Sequence, residues 1–356
     1  MLTKKQLTMV TVNAIVVKML LTYPRVLIVL SGNAAWINVL YVTLLAVLIF
    51  GAIRLVYNTD KNIISAAEDA GGNILRITVA LIIFIVLCMN VLSLIRVFPE
   101  IIKLVLLEDT YEEIIGIVFV AVIALGAVFG IESIARVHEL FIPIAAAVFI
   151  IFLLLLSPGS RLETIYPVFG KGFFDLFVNG ISGLSLFADI IILNILLPYT
   201  QTLSDYKHAG TRSIIIGGLA AFAITAAYCL TYVYPASEEF FVPVYQLERT
   251  IYFSNFFSRF EAVFQFVWTI SIFLYGSFYI AVLAKVWEQG FRQPSSAVTI
   301  AAIAAILIGA AAIPDSVDKT AKWEVMMSGW IYIPVFLLPI LIGIIHTVRY
   351  RNKMRK

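Results

Sequence analysis

The sequence predicts an all-α integral membrane protein of ten transmembrane helices, arranged as two inverted sets of five. Three observations predict it. Hydrophobic residues make up 62% of the 356 positions and charged residues 13%, against about 45–50% and about 25% in a soluble domain. The apolar residues form continuous runs of roughly 18–25 residues, the length a helix needs to cross about 30 Å of hydrocarbon. Features of the first five runs recur in the second five. This composition excludes a water-soluble enzyme, a disordered chain and a nucleic-acid binder. At about 20 residues per span it leaves no room for a soluble domain, so 1–356 reads as one transmembrane domain.

Eight spans are free of charge: 34–53, 77–95, 114–131, 140–158, 213–237, 262–284, 293–314 and 325–348. Two more are interrupted by a charge in mid-span, 7–30 by Lys18 and 180–199 by Asp189. The runs lack the short alternating segments of a β-barrel, so helices are expected. The first run follows Lys4 and Lys5, outlasts a signal-peptide core and has no small-residue cleavage site, so it reads as a retained span. Cys88 and Cys229 lie inside apolar runs and read as reduced core thiols. With the N-terminus inside, Lys and Arg favour the inner segments by about two to one, so both short terminal tails are expected in the cytoplasm. The basic tail 349–356 reads as an anchor beside anionic lipid.

The repeats are expected at about 7–156 and 180–348. The first span of each carries its single buried charge and a proline, Pro24 or Pro198. The second is followed by an amphipathic connector, 58–73 or 235–258. The third is long, about 73–107 or 257–290, roughly 50 Å at the helical rise, so it must tilt or protrude. Five is odd, so the second set enters from the opposite side, the plan of many secondary transporters. In such folds the ligand site lies near the midplane where helices 1 and 6 are broken, freeing backbone groups for a substrate or ion.

Lys18 lies roughly 16 Å into its span, too deep to snorkel to water, and Asp189 lies near the middle of its own. They are expected to face each other or share one polar cavity, and to anchor the carboxylate and ammonium of an amino-acid ligand or to gate by exchanging partners with it. A static ion pair holding two helices in register and independent snorkelling are the alternatives. Met19 and Thr22 flank Lys18. Ser182, Ser185, Phe187 and Ala188 flank Asp189, with Gly180 and Gly183 weakening the helix nearby. Asn90 and Ser93 share a face of the long third span, and Trp268, Ser271 and Tyr275 a face of the eighth. All but the glycines and Ser271 are candidate substrate-binding residues.

Arg259 and Glu261 open the eighth span as a gate or an interfacial anchor, and Arg96 and Glu100 are spaced to pair along one helix. Glu132, Arg136, His138 and Glu139 are expected in an inner loop. There His138 is solvated, although its ordinary pKa suits a proton-linked switch. No P-loop, HExxH or GxSxG motif is present. No cofactor, metal or enzymatic activity is expected.

Several pieces resemble, in order and spacing, the spore-germination permease family, the B subunits of spore nutrient germinant receptors within the amino acid–polyamine–organocation superfamily. They are Tyr23-Pro24-Arg25 followed by Ala35-Trp36-Ile37, Glu132-Ser133-Ile134-Ala135-Arg136 leading into Phe141-Ile142-Pro143, Ala188-Asp189 followed by Leu197-Pro198-Tyr199, and Ser258-Arg259-Phe260-Glu261 with Trp268. The resemblance runs from about residue 3 to 350. It implies a LeuT-like permease fold in the spore inner membrane, acting beside an A subunit and a C-subunit lipoprotein. It also implies recognition of a nutrient, commonly an amino acid, that starts germination. Val17-Lys18-Met19 replaces the family's glycine-serine-glycine type of break, and Ala188 replaces its usual glycine. Lys18 sets an ammonium where sodium-coupled relatives of the fold hold an ion, which argues against sodium coupling. The function expected is a nutrient sensor working through partners; an active proton-coupled amino acid transporter and a membrane scaffold are the competing readings.

Overall fold

The computed structural model describes residues 1–57, 59–156, 159–251, 260–294, 296–314 and 316–354, with side chains described for all of these except 260, 261, 317, 318 and 349–354. The described residues form helices and no named strand; a single bridge joins Leu2 to Thr200. Helix α1, Lys4–Leu20, opens with a capping box in which the Gln6 backbone N–H donates to Thr3 Oγ1 (3.2 Å) and the Thr3 backbone N–H to Gln6 Oε1 (3.0 Å). The chain then breaks at Leu21–Thr22. Helix α2, Tyr23–Ser31, restarts it with Pro24 in the first turn, where a missing N–H is harmless.

Helix α3 spans Ala35–Val56 and α4 Ile63–Val105. Gly72 (φ 76°, ψ −163°) kinks α4, a conformation glycine adopts readily. The first connector is therefore helical, and the long third span starts at Asn73 as expected. Helices α5 (Glu112–Val128), α6 (Ile131–Leu156) and the short α7 (Phe173–Phe177) follow. A 3-10 segment, Asn179–Ile190, leaves helical geometry at Phe187 and continues into α8, Ile191–Leu196. Helices α9 (Leu203–Thr231), α10 (Pro243–Arg249), α11 (Phe260–Phe291), α12 (Ala297–Ala311) and α13 (Val317–Met354) complete the described fold.

Seven helical stretches are long and apolar enough to span a membrane. The expected spans at α1, α5 and α12 fall short of that length, with 17, 17 and 15 residues. For α1 the reason is the break, which divides one expected span into two helices. The chain is a multi-pass membrane protein.

Helix α1 packs on α9 and α6, and the 3-10 segment packs on α3 and α13. Helix α3 meets α9, and α4 meets α11. Helix α4 also touches α5, α12 and α13, while α11 touches α12, α5 and α6. Exchanging α1, α3, α4, α5 and α6 for the 3-10 segment, α9, α11, α12 and α13 reproduces these neighbours. Several polar bonds respect the expected sidedness. The Met1 amino group pairs with Glu132 (2.8 Å), Arg292 with Glu68 (2.5 Å) and His346 with Asp69 (3.6 Å), all in segments expected inside. Lys171 pairs with Glu238 (2.7 Å), and Arg96 Nε donates to the Pro314 carbonyl (3.1 Å), in segments expected outside.

The expected inner loop at 132–139 is instead the start of α6, which corrects the reading of His138. Charges there end the apolar run without ending the helix, because partners on α1 neutralise one face: Lys5 and Gln6 reach Glu139 at 3.3 and 3.0 Å. His138 turns inward and is fully buried. Its Nδ1 lies 2.9 Å from the Ile134 carbonyl and its Nε2 lies 3.2 Å from Asn13 Nδ2, so the Nδ1–H tautomer satisfies both contacts. Asn13 also donates to the Ser271 carbonyl (3.0 Å), tying α1, α6 and α11 together.

The 3-10 segment sits on α3 through Asn38, whose amide donates to the carbonyls of Leu176 (3.1 Å) and Gly180 (2.9 Å). A Cβ on Gly183 would lie 2.7 Å from Asn38 Oδ1 and 3.2 Å from Val42, whereas one on Gly51 would meet nothing within 4 Å. Gly183→Ala is expected to destabilise by about 1–3 kcal/mol through overpacking, lowering the melting temperature in detergent. Gly51→Ala should leave it unchanged or slightly raised.

Candidate functional site

Both interrupted helices end at one charged contact. Lys18, in the last turn of α1, lies 2.6 Å from Asp189 Oδ2, with the two side chains 12% and 1% exposed. Its ammonium also donates to the carbonyls of Ser185 (3.3 Å) and Leu186 (3.2 Å). Asp189 Oδ1 accepts from the Tyr279 hydroxyl of α11. One lysine therefore bonds a buried carboxylate and two backbone carbonyls of the 3-10 segment, the kind of partner that irregular backbone needs at membrane depth. The break in α1 is closed similarly: Trp268 Nε1–H donates to the Leu20 carbonyl at 3.3 Å. Tyr23, at the start of α2, reaches Ser185 Oγ (2.5 Å) and the Gly183 carbonyl (3.2 Å), bridging the two interrupted helices.

Beside the pair lies a cavity of about 60 Å³. It brings together Lys18, Thr22, Asn90, Ser93, Ser185 and Tyr275 from the expected set. The other expected residues lie elsewhere. Asp189 stands behind Lys18 and does not line the cavity. Met19, Phe187 and Ala188 are fully buried in the hydrophobic core, because the face each occupies at its break points into packed helices. Ser182 lines a separate open depression with Lys171, Asp175 and Asn179, while its carbonyl accepts from Ser185 Oγ (2.7 Å). Trp268 points away from Tyr275, toward Phe98 and two apolar cavities, since its ring is held by the Leu20 carbonyl.

Arg259 lies outside the described residues, as does the Glu261 side chain. Glu248 accepts from Gln265 Nε2 (3.0 Å). Arg96 pairs with Glu100 (3.7 Å) as its spacing suggests, and also with Glu112.

Glu324 is the charged cavity residue that sequence reasoning missed. It directly precedes the charge-free span expected at 325–348. Helix α13 begins at Val317, so Glu324 sits two turns inside it and lines the cavity with Met327, Ser328 and Ile331. The Thr22 and Ser93 hydroxyls are placed to hydrogen-bond its carboxylate. The polar face Thr320, Glu324, Ser328, at i, i+4, i+8, was the available signal.

Breaking the ion pair from one side leaves a buried charge. Lys18→Met is expected to destabilise by about 3–5 kcal/mol. Lys18→Met with Asp189→Leu should recover most of that, read as melting temperatures of the purified proteins in detergent.

Residues 1–320 match the family described as spore germination protein, a stretch holding both breaks, the ion pair and most of the cavity wall, and ending just before Glu324. The Bacillus subtilis (strain 168) protein named "Putative spore germination protein YfkT" is 23% identical over 253 residues, 70% of this chain and 69% of that one. With residues 1–320 of its 356 matched, this multi-pass membrane protein belongs to the spore germination protein family.

Proposed function

We propose that the chain is the permease-like membrane subunit of a spore nutrient germinant receptor. It binds a small nutrient, an amino acid, near the midplane and triggers germination with an A subunit and a C-subunit lipoprotein in the spore inner membrane. The observation that carries this reading is the meeting of two broken helices at Lys18 and Asp189 beside a polar cavity. Interrupted helices at the midplane are where transporters of this plan hold their ligands.

The reading includes ten crossings in a 5+5 inverted repeat, with both termini cytoplasmic. Two facts support it. The main neighbours of the helices persist when the two sets of five are exchanged, and the described bonds between terminal segments join segments assigned to one side. The helices α1, α5 and α12 cross as shorter members.

The ion pair acts as the switch. Lys18 is held by Asp189 and two carbonyls, so a nutrient that binds beside it in the cavity and shifts this contact loosens the only charged tie between the two interrupted helices among the described residues. That change reaches α11 through Tyr279 and is read by partner chains.

Spores carrying Lys18→Ala or Asp189→Ala are expected to lose the fall in optical density that follows nutrient addition. Lys18→Met with Asp189→Leu should keep wild-type protein levels in the membrane and still not respond. A normal nutrient response from that double variant would sink the proposal. Uptake of labelled amino acid into proteoliposomes containing this chain alone would replace the sensor with a transporter.

A further inference from the structure

Resting on that reading of the cavity as a solute site, we infer that Glu324 is the counter-ion for the solute's ammonium group, and that the site takes a compact primary amine, with the smallest amino acids in that class. The charges around the cavity decide this. Lys18 is the cavity's ammonium, but it is already paired with Asp189 (2.6 Å) and bonded to two carbonyls. Asp189 is 1% exposed, lies against Lys18 and Tyr279, and does not line the cavity.

Glu324 is the carboxylate that lines the cavity, and among the described residues no cation forms an ion pair with it. Its neighbours there are the hydroxyls of Thr22 and Ser93. Arg25 acts on it only at longer range and is held by its Nε–H on the Glu238 carbonyl oxygen (2.9 Å). The cavity thus presents one carboxylate without a matching cation, in a setting where a charge-assisted hydrogen bond is strong.

Two further polar groups face the same space. The Tyr275 side chain is buried, 2% exposed, and lines the cavity with its hydroxyl beside Tyr279 and Asp189. Asn90 spends its amide N–H on the Val86 carbonyl (3.1 Å), leaving its Oδ1 as a neutral acceptor. Size sets the upper bound. About 60 Å³ corresponds to about four to six water positions on a measure of roughly 10–15 Å³ each, hence to a solute of about that many heavy atoms. Glycine and alanine meet the bound, and leucine exceeds it.

The test is calorimetric titration of the purified full-length chain in nanodiscs with glycine, glycinamide, glycolamide and leucine. Glycine and glycinamide are expected to bind alike, because the ammonium and not the carboxylate carries recognition. Glycolamide, which matches glycinamide in size and lacks the ammonium, should bind about tenfold more weakly or worse, the weight of one charge-assisted hydrogen bond, and leucine should be excluded by size. Glu324→Gln should lower affinity for glycine and glycinamide by about tenfold or more with an unchanged melting temperature, and Glu324→Asp should recover part of it. If Glu324→Gln does not fold, preference for glycinamide over glycolamide in the parent, with its partial retention in Glu324→Asp, decides. Binding of glycolamide as tight as that of glycinamide, or glycine binding indifferent to Glu324, overturns this inference alone. Failure of every probe to bind the parent overturns the solute-site reading as well.

Discussion

An ammonium and a carboxylate in contact within hydrocarbon hold the centre of this molecule together. Neither Lys18 nor Asp189 is tolerable there alone, since an unpaired charge in a low-dielectric interior is expensive. Their contact also answers the second problem of the region, the backbone carbonyls of the irregular 3-10 segment. Lys18 takes two of these along with Asp189, and Tyr279 takes the remaining carboxylate oxygen. The interrupted helices, the tie to α11 and the small cavity all follow from placing that contact at the crossing of two chain breaks.

The surrounding packing makes the breaks tolerable. Trp268 caps the end of α1, Tyr23 joins α2 to the 3-10 segment, and Asn38 bonds the carbonyls of Leu176 and Gly180 from the side of α3. Each is a long or polar side chain from another helix, spent on backbone that cannot bond itself. This is the general condition for irregular backbone at membrane depth. The same logic accounts for His138 and Asn13, which join α1, α6 and α11 on the other side of the pair.

Charge near the cavity is divided between separate elements. Lys18 and Asp189 are paired with each other, as a tie between helices should be. Glu324 has no ion-pair partner among the described residues, and it reaches the cavity from a helix outside both interrupted elements. Under the function proposed above, Glu324 is the group that meets the solute, and the ion pair a few residues away on α1 is the group that answers.

The membrane class, the long third spans and the two special helices were legible in the sequence, because lipid imposes continuous apolar length and makes each buried charge conspicuous. The meeting of Lys18 with Asp189 followed from the same constraint, since opposite charges at one depth have few other partners. What only the tertiary structure decided was which way side chains face. Met19, Phe187 and Ala188 adjoin the pair in sequence but turn into the core, because a chain break resets the helical phase. His138 and Glu324 looked like connector residues because charges end an apolar run, yet a helix continues through charges wherever neighbouring elements supply partners. Length and apolarity belong to the chain alone, whereas the facing of each polar group depends on what the other helices bring to it.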